Sequence, residues 1–136
     1  MKDLLNLIPS YIKDSKQLLT ELIQLKLPPK VKLFTADATV MYTNIDATTG
    51  TQAFKHLFRT YKAQIPHNFS KELFLKVLKT IMENIFFLKF GNTSWLQTKG
   101  TAMGTPAAPL YSIITFGYHE NSTILKNFKS NLLYYR

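Results

Sequence analysis

The chain has 136 residues, no cysteine and a formal net charge of +9, from 17 Lys and Arg against 8 Asp and Glu. The length suits one domain with one core, and 46% hydrophobic with 13% aromatic residues is too apolar for a disordered tail. Lack of cysteine excludes disulfides, thiolate-bound zinc and thiol catalysis, while the positive excess favours a polyanion partner, either nucleic acid or an anionic membrane surface.

The N-terminal stretch MKDLLNLIPSYIKD has no long apolar run and no small-residue cleavage site. It predicts no secretory signal, so the expected location is cytoplasmic or nuclear. Pro9-Ser10 predicts a helix start with Ser10 as N-cap. Ile12, Ser15, Leu18, Leu19, Leu22 and Ile23 then recur at helical spacing. Pro28-Pro29 ends that helix. Next comes KLFTADATVMYTNID, residues 32–46. Leu33, Phe34 and Thr35, with Thr39 and Val40 soon after, predict a strand. Asp37 stands where the apolar run gives out, between Ala36 and Ala38. It is the only acid between Glu21 and Asp46. A carboxylate at a strand end is placed to hold a cation in a cleft; the competing reading is a turn or helix cap.

Asp46 is the predicted N-cap of a helix whose apolar stripe is Phe54, Leu57, Phe58 and Tyr61. Lys55, Arg59 and Lys62 share a separate face, a row that either touches a phosphate backbone or is simply solvated. Pro66 breaks the chain and Ser70 starts another helix. There Leu73, Phe74, Val77, Leu78 and Ile81 are predicted to face a core, with Glu72, Lys76, Lys79 and Glu83 opposite. In IFFLKFGNTSWLQT, Phe86, Leu88 and Phe90 alternate, Gly91-Asn92 is a tight turn, and Trp95 and Gln97 lie on a return strand. His56, His67 and His119 show no metal-ligand spacing.

In KGTAMGTPAAP, Gly100 and Gly104 let the backbone approach a neighbour closely. Thr105-Pro106 predicts a helix from Pro106 to Leu125 with proline at its first position. Residues 100–119 carry no Lys, Arg, Asp or Glu. That length matches a membrane span, but Pro106 and Pro109 interrupt it and Thr, Ser and His dilute it, so a buried helix is expected and no membrane partner. No Gly-Lys-Ser/Thr follows the glycines, which removes the Walker A pattern. In NLLYYR a strand is predicted to begin at Leu132 and stop at Arg136, so the chain reads as truncated.

Taken together, IPSYIKDS, FTADATVMYTNID, the hairpin, LQTKGTAMGTPAAP and LLYYR resemble, in that order, the reverse transcriptase of Penelope-like retroelements. The resemblance spans nearly the whole chain, and DATVMYTNI and GTAMGTPAAP are its most specific parts. It implies that Asp37 is the first catalytic, metal-binding Asp of polymerase motif A. The family's usual residue after that Asp is Val, where this chain has Ala38; the departure is mild because the family uses the backbone carbonyl there. Tyr42 matches the aromatic position that screens the sugar of the incoming nucleotide. Gln97, Gly100, Met103, Gly104, Pro106 and Pro109 match motif B, which packs against template and nucleotide. Tyr134, Tyr135 and Arg136 resemble the lead-in to motif C, whose Asp-Asp turn is missing, as is the upstream fingers segment.

The implied fold is α/β, more closely α+β: a partial polymerase palm and fingers, with a few antiparallel strands packed by helices. Residues 1–136 would be a single incomplete reverse transcriptase domain. The implied cofactor is Mg²⁺ or Mn²⁺, and the implied partners are RNA template, DNA primer, dNTP and the missing parts of the same polymerase. Nucleotidyl transfer uses two cations about 3.5–4 Å apart, and Asp37 supplies one carboxylate with no obvious second. The expected outcome is a polymerase fragment that is inactive alone. The alternatives are a non-catalytic nucleic-acid-binding relic, using Lys55, Arg59 and Lys62, and an interaction protein with an open sheet edge.

Overall fold

Two helices packed against each other, α3 (Ala47–Thr60) and α5 (Ala108–His119), hold the protein together. The computed structural model describes residues 2–84, 87–101 and 104–136. A 3₁₀ turn (Lys2–Leu7) leads to α1 (Ser15–Gln24) and, after a long irregular stretch, to the short helix α2 (Met41–Asn44). After α3 come a second 3₁₀ turn (Lys62–Gln64), α4 (Lys71–Asn84), and the strands β1 (Phe87–Phe90) and β2 (Thr93–Leu96). Helix α5 passes into a π-helical turn (Glu120–Ile124) and then α6 (Leu125–Phe128).

Helix α3 starts where the sequence predicts. The Asp46 carboxylate accepts from the Thr49 backbone N–H at 2.7 Å and from the Thr49 hydroxyl at 2.6 Å. Both bonds satisfy groups left over at a helix start, and they hold the Asp46 carboxyl below its ordinary range. Phe54, Leu57 and Phe58 are buried. Phe54 lies 5.6 Å from Phe74, 6.2 Å from Phe58 and 5.9 Å, stacked, from Tyr111, centroid to centroid. Each such ring stabilises the fold by about 1.5–3 kcal/mol through burial, and each pairing adds about 0.5–1.5 kcal/mol. Gly50 makes room for this contact. A Cβ there would lie 2.0 Å from Tyr111 Cζ.

The hairpin forms as predicted. Leu88 pairs with Trp95 and Phe90 with Thr93 across a two-residue loop, in which Gly91 takes φ +59°. A glycine with positive φ at the first loop position matches the local twist of two antiparallel strands. Gln97 falls just beyond β2 rather than on it, and Phe86 lies outside the described residues. The protein is a mixed α and β structure, 55% helical, and among the described residues its sheet has two antiparallel strands. No helix among the described residues is long and apolar enough to cross a membrane.

Several expectations are corrected. Helix α1 begins at Ser15, capped by Asp14, whose carboxylate accepts from Gln17 N–H at 2.8 Å. Ser10 instead is buried and donates to Glu120. No α1 residue is buried, and Leu19, Leu22 and Ile23 of its apolar stripe are exposed. On α4, Leu78 is buried and Phe74 and Ile81 pack against the core, but Leu73 and Val77 are exposed. Residues 32–38 are not a strand. Nothing among the described residues pairs with them, and Leu33 is 89% and Phe34 85% exposed. A strand needs a neighbour for its N–H and C=O groups, and propensity cannot supply one. The helix expected from Pro106 starts two residues later, at Ala108, with Pro109 in its first turn, and reaches Leu125 only through the π turn. Residues 132–136 form no strand. The side chains of Tyr134, Tyr135 and Arg136 instead bond to Glu21 and Glu120.

Candidate nucleotide and nucleic-acid contact site

The two sequence stretches richest in motif residues meet at one point. The Thr101 N–H donates to the Tyr42 carbonyl at 2.6 Å. Thr101 is 2% exposed, and its hydroxyl donates to the Ile45 carbonyl at 3.5 Å. Beside it, Gly100 takes φ +88° and lies so close to α2 that a Cβ would sit 2.8 Å from Thr43 Cα. Glycine is required there twice over, by its dihedral and by the approach. From the other side, the Tyr111 hydroxyl donates to the carbonyls of Asp46 at 3.2 Å and Ala47 at 3.0 Å. So the 100–101 loop and α5 together clamp the segment 42–47. Burial, then the nearby Asp46 charge, pushes the Tyr111 phenol up to about 12, which keeps it a neutral donor.

The other predicted residues are not drawn into this clamp. Asp37 and Ala38 are exposed in the irregular segment before α2. Between them and the half-buried Tyr42 stands Val40, whose φ of +48° lies in the left-handed region. That is a strained position for a β-branched residue. The Gln97 amide folds back and donates to the Lys99 carbonyl at 2.8 Å. Gly104 has φ +100°, and a Cβ added there would meet nothing within 4 Å. Pro106 is exposed ahead of α5, and Met103 lies outside the described residues.

Among the described residues no group of three or more Asp, Glu or His comes together. Mg²⁺ takes near-octahedral oxygen ligation, and a single exposed carboxylate on an irregular segment does not fit that need.

Lys55 and Arg59 are exposed on α3, and Lys62 is exposed on the 3₁₀ turn that follows. The ion pairs found among the described residues, Lys79 with Glu83 at 3.8 Å and Arg136 with Glu21 at 2.9 Å, take none of the three. The row is thus presented to solvent. His56, also exposed on α3, has its ring 5.1 Å from Tyr118 and Nε2 3.3 Å from the Thr60 hydroxyl.

A second cluster has no counterpart in the sequence reading. Tyr135 donates to Glu120 at 2.9 Å, and Ser10 donates to the same carboxylate. Tyr134 donates to Glu21 at 2.8 Å and Arg136 bonds it at 2.9 Å, while Arg136 also donates to the Pro9 carbonyl. Hydrogen bonds from Gln17, Tyr134 and Arg136 hold the Glu21 carboxyl below its ordinary range. Burial, then Glu120, pushes the Tyr135 phenol up to about 12. These partners lie as far as 127 positions apart, and no spacing rule reaches that far. An open cavity of about 290 Å³ beside the cluster is lined by Tyr11, Met41 and Phe116 as well as Ser10, Glu120 and Arg136.

Comparisons with protein-family models, with curated proteins and with solved structures find no match to this chain.

Proposed function

We propose that the chain is part of an RNA-directed DNA polymerase. In this reading Asp37 contributes one carboxylate to cation binding in the assembled enzyme, Tyr42 stands beside the sugar of the incoming nucleotide, and the Gln97–Pro109 loop packs against template and nucleotide. The observation that carries the reading is the join at Thr101 N–H and Tyr42 carbonyl, 2.6 Å apart. It ties together the two stretches, DATVMYTNI and GTAMGTPAAP, that resemble polymerase motifs A and B. Motif B acts on the nucleotide held by motif A, so the two must be neighbours. Transfer through two cations needs more carboxylates than Asp37 supplies, so the expected activity of the isolated chain is none.

The reading is tested by photo-crosslinking to an RNA template annealed to a DNA primer, with 4-thiouridine at the templating position. Crosslinks are expected within residues 97–109. Crosslinks confined to other segments, or none at low salt, overturn it. In a parallel primer-extension assay with Mg²⁺ or Mn²⁺ the expected signal equals that of buffer. Extension abolished by Asp37→Ala would show that a second carboxylate completes the site.

The exposed row Lys55, Arg59 and Lys62 favours a second reading, a nucleic-acid-binding protein without catalysis. Replacing all three by Ala should then reduce the slope of log K against log salt by about 2.7 on duplex DNA, with no effect of Asp37→Ala.

A further inference from the structure

From α1 to α2 the chain crosses residues 25–40 with no helix or strand. The first half of this stretch is basic and apolar. Lys26, Lys30 and Lys32 are exposed, and no acid lies between Glu21 and Asp37. Glu21 itself is engaged by Arg136 and Tyr134, so it is not available to neutralise these lysines. Pro28-Pro29 fix two backbone dihedrals. The chain then turns at Lys30, φ +70°, with Val31 N–H bonded to the Pro28 carbonyl at 3.4 Å. Just past this stiffened turn stand Leu33, 89% exposed, and Phe34, 85% exposed.

An aromatic ring held in water beside three lysines that form no ion pair among the described residues has a matching partner in a polyanion that offers flat, unstacked rings. We infer that residues 26–34 bind single-stranded nucleic acid, with Phe34 stacking on a base and Lys26, Lys30 and Lys32 facing phosphates. Base–aromatic stacking with a flanking positive groove is the general means of holding a single strand without reading its sequence. A duplex fits poorly, because its bases already cover each other's faces. An anionic lipid surface also fits less well. A membrane-surface segment separates its basic and apolar sides. Here, once the segment is drawn out, Lys32 and Phe34 lie two positions apart and so project to the same side. They then stand about 6.6 Å apart along the backbone, close to the reach of one nucleotide. The polymerase reading is not needed for this inference, since the residues differ from those of the proposed nucleotide site and the activity is binding alone.

The test is fluorescence anisotropy of labelled oligouridylate with the full chain, at several salt concentrations. Phe34→Ala should weaken binding about five- to a hundredfold, and Phe34→Leu, which keeps an apolar side chain but removes the π face, should lose nearly as much. Lys30→Ala with Lys32→Ala should reduce the salt slope by about 1.4. All three replaced side chains are exposed, so circular dichroism should show unchanged folding. Wild-type binding equal to that of Phe34→Leu overturns the stacking assignment. Absence of binding at low salt overturns the whole inference. So does Phe34-dependent sedimentation with phosphatidylserine vesicles combined with indifference to oligouridylate. Loss of the 97–109 crosslinks with Phe34-dependent binding intact would sink the polymerase reading and leave this one standing.

Discussion

Replacing Gly100 by Ala tests the join between the two motif stretches directly. The added Cβ would stand 2.8 Å from Thr43 Cα and 3.0 Å from the carbonyl oxygens of Thr43 and Tyr42. These are backbone atoms, so no side chain can swing aside. The loop or α2 must move, and moving either stretches the bond from Thr101 N–H to the Tyr42 carbonyl. Holding a side chain at φ +88° costs about 1–3 kcal/mol, and leaving the buried amide unpaired costs about 1–3 kcal/mol more. The expected loss is about 2–6 kcal/mol. At roughly 4 °C per kcal/mol for a chain of this length, Tm should fall by about 8–24 °C. Gly104→Ala is the control. Its φ is +100°, yet nothing lies within 4 Å of the added atom, so only the dihedral cost of about 1–3 kcal/mol applies. Thermal and guanidinium unfolding followed by circular dichroism would measure both variants. If Gly100→Ala is no less stable than Gly104→Ala, the close packing of 100–101 on α2 is wrong, and with it the support for the proposed function.

Ser112 is fully buried on α5, and its hydroxyl has no hydrogen-bond partner among the described residues. Ser112→Ala removes a desolvated group, so stability should hold or rise by up to about 1 kcal/mol; a clear loss would reveal a hidden partner. Tyr111 and Tyr135 both titrate near 12 in the folded protein, against 10 when unfolded. Their stabilising contribution is complete below pH 10 and lost as pH rises toward 12, so Tm should drop across that window, less steeply in Tyr135→Phe. Glu21 and Asp46 are shifted the other way, below 4.5 and 3.8 respectively. Their contribution is present above those values and lost as pH falls through the lowered folded ones, and Glu21→Gln should flatten the acid limb of a Tm profile.

What the sequence showed best was local. Asp46 capping α3, the Phe54-Leu57-Phe58 stripe and the Gly91-Asn92 turn each rest on contacts within a few residues. Ser10 misled because a serine ahead of a helical stripe fits the usual N-cap pattern, yet its hydroxyl donates to Glu120, 110 positions away. The helix expected from Pro106 ran late for a similar local reason. Proline suits any position in the first turn, and Pro106 and Pro109 both qualified; Pro109 occupies that turn. The site was legible as two stretches, not as a join. Gly100 was marked as a place of close approach, but only the fold says that Thr43 is what approaches.

Residues 32–40 fail as a strand for a reason that bears on function. Their composition is that of a strand, with Leu33, Phe34, Thr35, Thr39 and Val40 following Val31. Yet the segment stays unpaired, bounded by Lys30 at φ +70° and Val40 at φ +48°. Outside glycine and Asn such values cost about 1–2 kcal/mol each, and Val40 is β-branched besides. A segment with strand composition, water-exposed apolar side chains and strained ends gains by pairing with anything that offers a matching edge or face. Its neighbour Asp37 would be carried along, since it lies between Phe34 and Val40. Whatever engages Phe34 therefore also positions the one carboxylate that the proposed polymerase reading depends on. Binding of a strand at 26–34 and orientation of Asp37 should be coupled, and Val40→Gly, which relieves the dihedral, should loosen that coupling while leaving the buried core around Phe54 unchanged.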